Sequence, residues 1–225
     1  MIAIIAAMQI ECDALLNYME DVEVKTLHQL VFYEGKLNKH PVVLMLSGVG
    51  KVNATMSTTI LLDRYQIEYV INIGTAGGLI ETQEVLDLVV SDHVIQYDYD
   101  TSGIDGESGR GKRFKSDQHL LKIVEAVFKE LELSTWVGSI ASGDQFICDD
   151  HKIDEILDYF PEVICAEMEA GAIAQVCDHF NVAFIVIRSL SDIAHKENSH
   201  LDFTTYVKKA SERSAIFTKA IIEKL

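Results

Sequence analysis

Apolar residues fall along the chain in short unbroken runs rather than in strict alternation, the pattern of strands covered on both faces. The runs are Ile2–Ala7, Val42–Leu46, Tyr69–Ile73, Leu86–Val90, Val137–Ala141, Val163–Ala166 and Val182–Ile187. Leu30–Leu37 is also extended, and Asn38-Lys39-His40-Pro41 predicts a hairpin turn into the next run, so part of the sheet is antiparallel. Between these runs apolar residues recur three or four apart. That spacing predicts helices over Glu11–Met19, Val52–Tyr65, Asp117–Leu131, His151–Tyr159, Ala170–Phe180 and Phe203–Lys224. Ser116-Asp117 and Asp202 supply side chains suited to start helices. Strands alternating with helices give a three-layer α/β fold, its central sheet mixed and mostly parallel and flanked by helices. The polar, glycine-containing stretch Gln96–Arg113 predicts a long connector of the kind that carries function.

Composition narrows the picture. At 225 residues, with 48% apolar and 24% charged positions, the chain suits one α/β domain over residues 1–225. Two prolines and no Ser-, Gly- or Pro-rich stretch leave no linker to mark a second domain. A formal net charge of −16, with scattered cations, argues against nucleic acid, because binding there needs a cationic face to displace counterions. The run Met1–Met8 lacks a cationic lead and is too short for a signal core or a membrane span, so it reads as a first strand and no membrane partner is expected. Cys12, Cys148, Cys165 and Cys177 match neither disulfide nor metal spacing, which points to a reducing cytoplasm.

In open α/β sheets ligands sit beyond the carboxyl ends of the strands. The first strand delivers Met8 and then Glu11. Another ends in Gly74-Thr75-Ala76-Gly77-Gly78, and two more run into Glu167-Met168-Glu169 and Arg188-Ser189-Leu190-Ser191-Asp192. Each has a plain structural alternative. Gly74–Gly78 reads either as a tight strand-to-helix turn or as a place where a ligand approaches the backbone. Glu11 is either a first-turn helix acid or a crevice acid, and Asp192 either a cap or a ligand contact. Glu167 and Glu169 lie between apolar stretches where exposure is less expected, and Arg188 is a natural partner for one of these acids.

Other candidates fail on spacing. Ser47-Gly48-Val49-Gly50-Lys51 lacks the first glycine of a phosphate loop, where Met45 stands, and Val52 replaces its metal-binding hydroxyl. Ser142 lacks the glycine spacing of a nucleophile elbow, and the first strand carries no dinucleotide fingerprint. His195 and His200 are too far apart for a helical zinc pair, and His151 reads as a surface residue.

As an ordered set, these segments resemble the methylthioadenosine/S-adenosylhomocysteine nucleosidases of the purine nucleoside phosphorylase superfamily. The resemblance runs from Ile4–Met8 and Glu11 through Tyr33–Leu37, Ser47–Val52, Asn72–Gly78, Val89–Asp92 and Ser142–Ile147. It closes with Glu167–Ala170 and Arg188–Asp192. It implies hydrolysis of the N-glycosidic bond of methylthioadenosine and S-adenosylhomocysteine to adenine and the thioribose, within methionine salvage. It also implies a homodimer and no cofactor or metal. Position by position, Asp192 would protonate the imidazole-ring nitrogen of the departing adenine, and Glu11 would activate the attacking water, helped by Arg188 and Thr75. Glu169 would accept hydrogen bonds from the ribose hydroxyls with Met168 beside it. Phe146 would stack on the purine, the Ile147 backbone would read its edge, and Met8 would pack against the sugar. Ser191, Gly77 and Glu167 complete the substrate-binding set. Thr75 stands where many members have serine, and Gln96–Arg113, which in the family helps close a neighbouring subunit's alkylthio pocket, is short and lacks a Pro-Gly element.

The chemistry fits those residue types: glycosidic cleavage builds positive charge on the sugar and negative charge on the base, which one acid and one carboxylate can serve. A phosphorylase on the same fold would need cationic or amide donors for a dianion, and a fixed carboxylate close by costs energy in a low-dielectric cleft. An aminodeoxyfutalosine-type nucleosidase shares the acids, and a non-catalytic nucleoside sensor would not need both.

Overall fold

The structure, a computed structural model, describes residues 1–193 and 199–225, the side chains of 199–202 excepted. His195, the side chain of His200 and the Asp202 cap fall outside that description. The elements run β1 (Ile2–Ala6), α1 (Gln9–Leu16), β2 (Glu20–Leu27), β3 (Leu30–Leu37), β4 (His40–Leu46), α2 (Lys51–Arg64), β5 (Tyr69–Gly78) and β6 (Leu88–Asp100). There follow α3 (Ser102–Asp105), a 3-10 turn, β7 (Arg110–Lys115), α4 (Gln118–Glu130), β8 (Thr135–Ser142), α5 (Asp150–Tyr159), β9 (Val163–Glu167), α6 (Ala170–Phe180), β10 (Ala183–Ile193) and α7 (Ser199–Ile222).

The strands form one mixed sheet. Its centre is parallel, β4–β1–β5–β10, because helices return each strand in the same direction. Hairpins add β3 and β2 antiparallel at one side. At the other side the sheet closes on itself: β10 pairs with β6, β6 with β8, β8 with β9, and β9 returns to Gly77 and Gly78 of β5. Alternate residues of β1 face opposite layers. Ala3 and Ile5 pack with α2 and α6, whereas Ile2 and Ile4 pack with α1, α4 and α7. Each fully buried Ile, Leu or Val here contributes about 1.5–3 kcal/mol by transfer from water.

Most elements lie where the periodicity places them, and the Asn38-Lys39 turn has the positive φ values (49° and 69°) of a tight hairpin. Two expectations are corrected. Gln96–Arg113 is not a long loop, because β6 continues to Asp100 and β7 starts at Arg110 and pairs back on it. The polar Tyr97-Asp98-Tyr99-Asp100 stretch is an extended strand end, and the link is closed by the Thr101 amide donating to the Gly109 carbonyl at 2.9 Å. A side chain at Gly109 would meet Thr101 at 2.6 Å. Gly74–Gly78 is likewise no strand-to-helix turn; it remains in β5, paired with β10 along one edge and, at Gly77 and Gly78, with β9 on the other. The sequence pattern also passes over β2, an edge strand exposed on nearly all its residues.

Asp117 caps α4, its carboxylate accepting the His119 and Leu120 amides at 2.9 Å each. Asp117→Ala should lower unfolding stability by about 1 kcal/mol. The expected result is a shifted urea midpoint at unchanged slope, and an unshifted midpoint would contradict the cap.

Candidate active site

The carboxyl ends of β1, β5, β9 and β10 converge on a cavity of about 160 Å³. Met8, Glu11, Thr75, Gly77, Phe146, Glu167, Met168, Glu169, Arg188, Ser191 and Asp192 all line it. Acids from three distant stretches of chain therefore meet, and β5 adds a glycine-rich wall between them. Ile147 stands apart: its side chain packs in a core cluster with Ile95, Ile153 and Phe160, which leaves only its backbone for the role the resemblance implies.

Glu11 sits in the first turn of α1, so the helix acid and the crevice acid are the same residue. Its Oε2 accepts the amides of Ala7 and Met8 at 3.0 Å each, and its Oε1 accepts the Thr75 amide at 3.1 Å. Gly74 has no side chain because a Cβ there would lie 3.0 Å from Glu11 Oε1. Burial raises the Glu11 pKa above its ordinary value, against the opposing pull of the amides and the Arg188 charge.

Arg188, fully buried on β10, ties the cavity floor together. Its Nη2 donates to Glu167 Oε2 and to Asn72 Oδ1, both at 2.6 Å. Glu167 also accepts the amides of Glu169 and Ala170 at 2.8–3.0 Å, so one carboxylate neutralises the guanidinium and caps α6. Such a pair offsets its own desolvation only when its remaining lone pairs and protons are met. Glu167 takes two amides, and Arg188 Nη1 donates to the carbonyls of Asn72 and Ile187, while its buried Nε has no partner among the described residues. The turn it caps carries Glu169, whose Oε1 accepts the Gly50 amide at 2.8 Å. Burial, reinforced by the negative charge of Glu167, pushes the Glu169 carboxyl up to about 8.

Asp192 reaches the cavity through an irregularity. Leu190 pairs with Ala76 and Asp192 with Gly77, so Ser191 is an extra residue in β10, a bulge. Ser191 and Asp192 both then line the cavity, and the Ser191 hydroxyl donates to Asp192 Oδ1 at 2.8 Å. Gly77 is small because a Cβ would stand 3.1 Å from Asp192 Oδ2. At the mouth, Phe146 is half exposed and meets Phe203 edge to face at 5.6 Å.

Sequence reasoning missed Asn72, Gly50, Val49 and Phe203. Asn72, a buried amide inside the apolar run Val70–Ile73, carries a readable signal, since a buried polar group needs partners. Gly50, Val49 and Phe203 join the site only through tertiary packing. Among the described residues no group of three or more His, Cys, Asp or Glu is placed to hold a metal ion.

A closed mixed sheet with acids gathered at its strand ends defines a small-molecule enzyme of the nucleoside-processing kind. The profile of the phosphorylase superfamily matches residues 1–223. A 5′-methylthioadenosine/S-adenosylhomocysteine nucleosidase of Geobacillus sp. (strain WCH70) is 42% identical over 100% of this chain and 98% of its own. Among solved structures, the nucleosidase of Neisseria meningitidis in complex with methylthio-immucillin-A superposes with a TM-score of 0.95, at 34% identity over 100% of this chain and 99% of that one. The futalosine hydrolase of Helicobacter pylori superposes at 0.94 with 29% identity, over 100% and 97%. The chain belongs to the phosphorylase superfamily and, within it, to the 5′-methylthioadenosine/S-adenosylhomocysteine nucleosidase family.

The raised Glu169 pKa links stability to pH. Its contribution to folding is fully present below the ordinary value of 4.5, where the group is neutral folded or unfolded, and is lost as pH rises through about 8. The melting temperature of the wild type relative to Glu169→Gln should therefore fall across that window. A difference independent of pH would refute the assignment.

Proposed function

We propose that the chain hydrolyses the N-glycosidic bond of 5′-methylthioadenosine and S-adenosylhomocysteine, releasing adenine and the thioribose. The observation that carries this reading is the seating of Glu11. Its carboxylate takes the amides of Ala7, Met8 and Thr75, the donors a phosphate dianion would need at this end of the sheet. A second anion beside it would be repelled in a buried cavity. Water would not.

In the proposed reaction the C1′–N9 bond lengthens, leaving positive charge on the sugar and electrons on the purine. Asp192 gives its proton to the imidazole-ring nitrogen of adenine. Glu11 accepts a proton from water as the water oxygen bonds to C1′, and its burial-raised pKa suits a base. Glu169 holds the ribose hydroxyls, Met168 and Met8 pack against the sugar, and Phe146 stacks on the purine while the Ile147 backbone meets its edge. Arg188, paired with Glu167, and Thr75 help to orient Glu11 and the water, and Ser191 and Gly77 set the place of Asp192. A carboxylate held beside the sugar, as Glu11 is, favours the cationic transition state over the neutral ground state.

The working form we propose is a cytoplasmic homodimer of a single-domain chain with residues 1–225 as one catalytic unit. Free cysteines at 12, 148, 165 and 177 suit a reducing compartment. Val49, Val52 and Met56 are exposed apolar residues at the start of α2, beside the cavity to which Val49 contributes. Likeness to the Helicobacter pylori futalosine hydrolase makes a futalosine-type nucleoside the alternative substrate, with the same acids at work.

Pure protein should release adenine from methylthioadenosine in phosphate-free buffer, at a rate that added phosphate does not raise. A requirement for phosphate would replace hydrolysis by phosphorolysis. Asp192→Asn and Glu11→Gln should each lower kcat by roughly 100- to 10,000-fold while nucleoside binding persists. Full turnover by either variant would remove that residue from the mechanism.

A further inference from the structure

Behind the wall that carries Glu169, three charged residues from separate parts of the chain close a triangle. Lys51 Nζ meets Asp98 Oδ1 at 2.5 Å. The Asp144 amide donates to Asp98 Oδ2 at 3.1 Å, and the Lys51 amide donates to Asp144 Oδ1 at 2.6 Å. The Lys51–Asp98 pair is mostly shielded, with 19% and 27% of the side chains exposed, so solvent screens it less than a surface pair.

The triangle sits on a glycine turn whose amides are met only from outside the segment. Gly48 and Gly50 adopt φ values of +81° and +93°, which suit glycine. Ser47 and Asn53 bond the carbonyls of Gly48 and Val49, at 3.0 and 2.7 Å, and leave the amides of Gly50 and Lys51 to acceptors elsewhere in the fold. Gly50 precedes α2 and has no side chain to cap it, and Asp144 supplies that cap from across the fold. The same Gly50 offers its amide to Glu169 at 2.8 Å. Phe146 stands two residues beyond Asp144, at the cavity mouth. The end of β6, the start of α2 and the loop after β8 are thus locked together where two walls of the cavity begin.

We propose that Lys51, Asp98 and Asp144 are positioning residues that clamp the Gly50 amide against Glu169, so that its carboxyl faces the ribose hydroxyls. The assignment rests on the nucleosidase reading. None of the three lines the cavity, so each acts through Gly50 and the loop of Phe146 rather than on the substrate. Without the clamp the glycine turn has other conformations open to it. Glu169 then loses a donor that favours its charged form, in a surrounding where Glu167 and Glu11 oppose that form and Arg188 supports it. Asp192 shares the same cavity.

The test compares Lys51→Met and Asp98→Asn with the wild type on methylthioadenosine and on its analogue lacking both ribose hydroxyls. Taking each substrate against itself cancels the different lability of the two nucleosides. Loss of one charge-assisted contact corresponds to about tenfold or more in kcat/KM on the ribonucleoside, and the dideoxy analogue should change by less than about threefold. Melting temperatures establish that the variants fold, and Asp98→Asn, the closer isostere, carries the same expectation if Lys51→Met does not fold. Equal losses on both substrates, or no loss on either in a folded variant, would overturn the clamp. A wild-type protein that releases adenine from neither substrate would overturn the nucleosidase reading and the clamp with it. Adenine release by the wild type with equal losses in the variants overturns the clamp alone.

Discussion

The buried guanidinium of Arg188 is the constraint on which the site depends. Removing a charge from water is costly, and the structure offsets that cost with the adjacent carboxylate of Glu167 and the side-chain oxygen of Asn72. These partners come from β9 and β5, so a single side chain of β10 fixes three strands at the level of the cavity. Glu167 is in turn committed to the amides that open α6, and this sets the path of the chain through Glu169. Nothing in this sequence of contacts is independent of the rest. The ring closure of the sheet is what makes it possible, because only a sheet that returns on itself brings β9 and β10 to opposite edges of β5.

The same buried charge tempers the acids around it. Glu11 and Glu169 are both driven toward the neutral form by burial, and both are drawn back by Arg188. Burial thus makes Glu11 and Glu169 stronger proton acceptors than exposed carboxylates, the direction in which a general base is tuned. Rigid strand ends hold them in place. Little rearrangement is needed as charge develops on a substrate, which is the condition under which fixed groups stabilise a transition state most.

Much of this was legible in the sequence because burial on both faces leaves a strong mark. The unbroken apolar runs of β1, β5, β9 and β10 located the strands, and the polar residues immediately after them or late within them located the cavity. What escaped had no such mark. β2 is exposed on both faces, and a single pair of alternating valines, Val22 and Val24, is too short a run to mark a strand. The extension of β6 beyond Gln96 passes through alternating tyrosines and aspartates that score as a loop, yet β7 pairs with it. Gly74–Gly78 stayed a strand because β10 pairs along one edge while the Glu11 carboxylate and β9 meet the other, a fact of topology that no local pattern encodes. The bulge at Ser191 and the contact of Gly50 with Glu169 belong to the same class, since each depends on a partner from a remote part of the chain.

The three amides that hold Glu11 also bear on the direction of the chemistry. An oxyanion on a tether occupies ground that a free one would need, and it cannot diffuse away. A phosphorolytic relative keeps the energy of the glycosidic bond in a sugar phosphate and can run either way as pools shift. In the proposed reaction, a chain that has installed its own anion hands the bond to water, whose vast excess makes the step one-way. On the proposed mechanism, the seating of one carboxylate decides whether the nucleoside is an exchangeable store or a by-product drained for good.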